Sequence, residues 1–378
     1  MQYISIAPLV DPINGSVKSE LPVYAEDNKE NTQLRSQRDY HVIDLAQRFY
    51  SLKTITLQGV SNAQNFLATT SHGDYVVSIA DITDLKFAQN DHTLSGSEAC
   101  FSDIIDAVIL TNFKQNLEYR WVNRTIVVTN EESSAVTEGW LGRGIERYEY
   151  RAAHSKNNTV KYDLEISWGN NLITVQCQHY DNDTIFDYIK GVIDAQSIWI
   201  NYSRVTEGVR EIAQNMNHGE FDSTKYKTLR DKLLAMSKKR SLLNLVLDEV
   251  ETSLQGLRYH AVTMCLQAWN LDSVKSRLAT NLEILESINS QNHKIARSKE
   301  QSKVDLFLLT LSILTLTQFL LTFTDLSFSG GVDAIPGQGP YSFGLMNWIR
   351  SMGMDAWVSI SLVITAITAV IIFRKNGK

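Results

Sequence analysis

Two apolar stretches close the chain, Leu306 to Thr324 and Ala356 to Phe373, and they limit what it can fold into more than any other feature. A helix that crosses the hydrocarbon core of a bilayer needs roughly 20 apolar residues, and each stretch is close to that length. The sequence therefore predicts an integral membrane protein with two C-terminal spans. Lys294, Arg297, Lys299 and Lys303 precede the first stretch, and Arg374, Lys375 and Lys378 follow the second. The segment between them, 325–355, carries one basic residue, Arg350. Basic residues are retained on the cytoplasmic side, which assigns both termini to the cytoplasm and the chain to the inner, or plasma, membrane.

Some 300 residues precede the membrane pair, enough for an α/β domain and a helical region with cores of their own. The start, MQYISIAPLVDPING, has neither a basic n-region nor an apolar core, so it reads as neither a signal peptide nor a further span. Cys100, Cys177 and Cys265 are widely spaced, which argues against a disulfide framework or a cysteine zinc site and fits a reducing compartment. The net charge of −6 supplies no global basic field to attract nucleic acid.

Up to about residue 180 the pattern favours an α/β domain. Tyr162, Leu164, Ile166 and Trp168 alternate with polar residues, Gly169-Asn170 offers a turn, and Ile173, Val175 and Cys177 resume the alternation, which predicts a β-hairpin. Segments 119–129, 75–79 and 54–57 are further strand candidates, and 42–50 and 102–113 are apolar enough to be helices covering a sheet.

From Asp183 the apolar period lengthens to 3.6. Ile185, Ile189, Val192, Trp199, Tyr202, Val205, Val209, Ile212 and Met216 define one long helix with Asp183 as its cap. Leu229, Leu233, Leu243, Val246, Val250, Leu254 and Leu257 define a second that runs towards Trp269. These form a helical hairpin over 181–270. A stalk helix follows over 271–305. Leu271, Val274, Leu278, Asn281, Leu285, Ile288, Asn292 and Ile295 fall on a heptad seam, so copies of the chain are expected to meet there. An ordinary helix packed on its own domain gives much of the same pattern. No Gly or Pro interrupts 272–324, so stalk and first span would form one helix of about 80 Å. The remaining segments are the span 306–324, an outer loop 325–355, the second span 356–373 and a basic tail 374–378.

On the first span Thr315, Gln318, Thr322 and Asp325 fall within about 80° of arc, with Leu311 and Phe307 one and two turns earlier on the same face. Repeated around a symmetry axis, the stripe would stack hydroxyl, amide and carboxylate rings able to replace the hydration shell of an ion, and Leu311 would gate by dewetting. Against this stands the habit of Ser and Thr in membrane helices of bonding the carbonyl one turn back; Gln318 discriminates better, because its amide needs an external partner. Asp305 sits at the inner mouth, or pairs with Lys303 or Arg297. Asn347 in the loop is a candidate vestibule residue.

A large cytosolic α/β domain, a helical hairpin, a stalk entering the first span, a short loop, a second span and a basic tail: this order, over roughly residues 180–378, resembles the CorA-type divalent-cation channel family. The family's Gly-Met-Asn signature has its nearest counterpart in Gly344-Leu345-Met346-Asn347. The resemblance implies a homo-oligomer of four or five subunits, a first span that lines the pore, and a divalent cation as permeant or regulatory ion, with no other cofactor.

No P-loop, GxGxxG, HExxH or paired Cys or His appears, so an enzyme has no basis in the sequence. Arg143, Arg147 and Arg151, four residues apart behind Gly142 and Gly144, would hold the phosphates of an anionic nucleotide or oligonucleotide, with Tyr148, Tyr150 and Trp140 for stacking; Glu146 and Glu149 would equally make them a solvated, ion-paired face. The inserted Leu345 and a loop with only Asp325, Asp333 and Asp355 as acids motivate a second reading, a membrane-depolarising effector of stress or antiphage defence. A membrane-anchored, non-conducting scaffold is the third.

Overall fold

The computed structural model of the protein describes residues 1–26, 45–57, 60–82, 94–129, 140–141, 145–155, 158–176, 182–217 and 223–329, with single positions at 356, 359, 360 and 363. Two compact units divide the chain: Met1–Gly219 with Leu229–Glu286, and Glu220–Thr228 with Ser287–Lys378.

The first unit is mixed α/β and is built on one nine-stranded sheet. Its strands are β1 (Gln2–Pro8), β2 (Val23–Glu26), β3 (Arg48–Leu52), β4 (Val60–Thr70), β5 (Gly73–Ile82), β6 (Asn123–Thr129), β7 (Glu146–Ser155), β8 (Asn158–Ile166) and β9 (Asn170–Val175). Their order across the sheet is β2-β3-β4-β5-β1-β6-β9-β8-β7. Every pairing is antiparallel except β6 with β9, so two meanders are joined through β1 and one parallel pair. The predicted hairpin forms with Tyr162 opposite Val175 and Leu164 opposite Ile173, and Gly169 takes the positive φ of +87° that its turn requires.

Two expectations on the N-terminal side, one helix and one strand, are corrected. Segment 42–50, read as a helix, contributes strand β3 from Arg48 onward, because Arg48, Phe49 and Tyr50 find pairing partners on both sides, β2 and β4. Segment 54–57 is not a strand; only Leu57 makes an isolated bridge, to Val60. β1 was missed because both of its faces are buried: Tyr3 and Ala7 on one side, Ile4 and Ile6 on the other, leave no polar alternation to read.

Helices cover both faces of this sheet. Helix α1 (Gly15–Ser19) is a short turn, and α2 (Leu94–Phe113) seals one face, where Phe101, Ile104, Ile105 and Val108 pack with Tyr3, Leu67, Val76 and Ile126. Helix α3 (Asn182–Asn217) covers the other face. There Tyr75 Oη and Ser197 Oγ lie 2.5 Å apart, Thr125 Oγ1 and Tyr188 Oη 3.0 Å apart, and Phe186 meets the rings of Phe49 and Phe66. α3 starts at Asn182, so Asp183 stands in its first turn.

Helix α4 (Ser223–Ser253) runs antiparallel to α3: Tyr202 Oη donates to Asn244 Oδ1 at 2.7 Å, while Met236 lies against Gly208 farther along. The second helix does not continue unbroken to Trp269. Gly256, at φ +62°, starts a separate helix, α5 (Gly256–Ala268), which turns back onto α3, β7 and β8. A Cβ at Gly191 would stand 2.5 Å from the carbonyl oxygen of Arg258, so glycine is what lets α3 and α5 approach so closely.

The last described helix, α6, runs from Leu271 to Ser329 without interruption, 59 residues. Near its start Leu271, Leu278, Leu282 and Leu285 are buried within the chain.

Candidate functional site

Beyond Val304, α6 changes character. Leu306, Phe307, Leu308, Leu309, Leu311, Leu314, Leu316 and Phe319 are all exposed, Phe307 at 67% and Leu314 at 62%. At 100° per residue these side chains surround the helix, so no side of it is free of exposed apolar groups beyond one narrow stripe. Among the described residues this is the one helix long and apolar enough to cross a membrane, and none of its 18-residue apolar window is buried by the protein.

Its hydroxyls have a common arrangement. Thr310, Ser312, Thr315, Thr317 and Thr322 each donate to the carbonyl four residues earlier, at 2.8 Å in every case. A hydroxyl satisfied by its own helix can sit in hydrocarbon without a further partner. Thr315 bonds Leu311 O and Thr322 bonds Gln318 O, so both threonines of the polar stripe are satisfied this way. Gln318 is exposed on the same stripe, and its amide, with two donors and one acceptor oxygen, carries most of the stripe's capacity for an outside ligand. Asp325 lies within α6, and Asp305 is exposed one residue before the apolar run. Asn347, the Gly344–Asn347 counterpart and nearly all of 356–373 lie outside the described residues.

The stalk seam is divided between two faces. Leu278 and Leu285 are buried in the chain's own first unit, whereas Asn281, Ile288 and Ile295 are exposed and Asn292 is half-buried. A heptad count taken along one line merges these faces, because 3-4 spacings recur on any side of a helix whose two adjacent stripes are both apolar.

Arg143 lies outside the described residues. Arg147 and Arg151 belong to strand β7, which sets them on one face of an edge hairpin and not on a hinged loop. Arg147 Nε meets Glu165 Oε1 at 2.6 Å, and Arg151 Nη2 meets Glu149 Oε1 at 2.8 Å. Lys161 joins Glu149 at 2.8 Å and Asp163 at 3.2 Å. Hydrogen bonds from Lys161 and Arg151 hold the Glu149 carboxyl below its usual range. The result is a solvated ladder of alternating charge. Tyr148 and Tyr150 point to the opposite face, towards α5, where the Tyr148 hydroxyl lies 2.8 Å from His260 Nε2 and the two rings stack. Trp140 is buried, its indole N–H donating to Asn171 O. The aromatic groups are thus withdrawn from the arginines they were expected to accompany.

Sequence reading missed the main buried ionic contact. Asp194 on α3 accepts from Arg258 Nε at 2.8 Å and from Gln47 Nε2 at 2.7 Å, while Arg258 Nη2 reaches Leu45 O at 2.8 Å. It ties α3, α5 and the segment entering β3 together, beside a small cleft lined by Thr70, His72, Ser197 and Asn201. Gln47, Asp194 and Arg258 are up to 211 residues apart in sequence, with no motif to link them.

No family model and no curated protein matches the chain. Among solved structures, one described as the structure of the full-length CmaX protein superposes with a TM-score of 0.33 at 12% identity, covering 61% of this chain and 76% of that one.

Proposed function

We propose that the chain is a subunit of a homo-oligomeric, non-catalytic ion channel of the inner membrane, similar in organisation to the CorA type. In it 306–324 crosses the bilayer and lines the pore, 356–373 is the second span, and both termini are cytoplasmic. The observation that carries the reading is the unbroken helix from Leu271 to Ser329, whose second half exposes apolar side chains on every side. Such a surface is stable only in lipid or against other copies, and a helix shared between cytosolic and apolar segments is a direct mechanical link.

Within a ring of copies, Gln318 would present amides to the axis and Asp325 would attract cations at the outer end, with Leu311 as the dewetting constriction. Ligand binding by the α/β unit would gate the pore through its different affinity for open and closed forms. A divalent cation fits this role better than a nucleotide, because the arginines on β7 already hold carboxylates.

The test is planar-bilayer recording of purified wild type, Gln318→Leu and Asp325→Asn. A channel gives discrete currents whose conductance changes in the first variant and whose cation preference falls in the second. A second reading, the non-conducting anchored scaffold, is favoured by the back-bonded hydroxyls of Thr315 and Thr322. It predicts silence from all three proteins. Membrane depolarisation on expression in cells would instead support the effector role.

A further inference from the structure

The buried stripe of α6, Leu271, Leu278, Leu282 and Leu285, leaves a second apolar stripe on the adjacent face exposed and, among the described residues, without a covering element. It consists of Asn281, Ile284, Ile288, Gln291 and Ile295, at steps of three, four, three and four. All five are exposed, the isoleucines at 50%, 41% and 55%. An alternation of three and four is the repeat that brings helices together side by side, and three isoleucines among amides are not what a solvated face uses.

Resting on the homo-oligomeric membrane reading above, we infer that this face, and not the Leu278–Leu285 face, is where copies of the chain meet, and that its occupant is the same stripe of further copies. Identical helices that enter one bilayer at the same residue are parallel and level. Equivalent positions then face each other without any further device to set the register: isoleucine meets isoleucine, and the amides of Asn281 and Gln291 meet their own counterparts. A buried amide layer pairs well only in that register. Isoleucine at both kinds of core position favours more than two strands. Lipid is the wrong occupant, because Arg297, Lys299 and Lys303 separate Ile295 from the apolar run that begins at Leu306.

The experiment uses the full chain in lipid-detergent particles, with Cys100, Cys177 and Cys265 replaced by alanine and one cysteine placed as Ile288→Cys, Ile295→Cys, Glu286→Cys or His293→Cys. Oxidation should join copies several-fold more at the first two positions than at the last two, which lie on the far side of the helix. Equal cross-linking at all four, or none in particles that light scattering shows to be oligomeric, overturns the assignment of the face and leaves the oligomeric reading standing. Monomeric particles overturn both. In the chain with its native cysteines, Ile288→Lys with Ile295→Lys should convert oligomer to monomer with unchanged helical circular dichroism; an intact oligomer there also refutes the proposal.

Discussion

Single residues decide how tightly the elements of the first unit close. Gly191 sits where the α3 and α5 backbones nearly touch, so Gly191→Ala forces them apart; overpacking of this kind costs about 1–3 kcal/mol, and thermal unfolding of the variant should show a lowered Tm. His260, packed between Tyr148 and Tyr259, has its pKa lowered from 6.5 by desolvation. The folded state therefore prefers the neutral ring, and the unfolded chain takes up a proton first as pH falls. The stability from this site is full above pH 6.5 and declines below it. Melting wild type and His260→Phe from pH 8 downward should show a steeper loss in wild type below that point. Neither site was legible in advance. A glycine inside a long apolar helix and a histidine beside a tyrosine have no meaning until the element packed against them is known.

Elements were legible in proportion to how one-sided their burial is. Strand β8, half-exposed on the face of Lys161, Asp163 and Glu165, declared itself by alternation, whereas β1 and β3, buried on both faces or among aromatics, did not. α6 shows the opposite difficulty: two apolar stripes on one helix look like a single seam when projected on the sequence. Within its apolar half, chemistry separates the stripe residues. Thr315→Val and Thr322→Val remove hydroxyls that bond only their own helix, so both should leave conductance close to wild type. Gln318→Leu removes an amide with no such internal bond in the described structure and should change it. Single-channel recording of the three variants side by side checks the ranking.

At the scale of the molecule, the chain should remain with the membrane pellet after alkaline carbonate extraction, and light scattering of the detergent-solubilised protein should give a mass of several copies. Release into the supernatant would show that the exposed apolar half of α6 is covered by protein and not by lipid. The sequence by itself determined the α/β character of the first part, the change to long helices near residue 182, and the apolar run after Val304, because each depends on periodicity or length along one segment. Only the tertiary structure decided the nine-strand order, the Asp194–Arg258 contact, the pairing of Arg147 and Arg151 with carboxylates, and which stripe of α6 is already occupied. These depend on which distant segments meet, and a linear pattern records that a residue wants burial without recording against what.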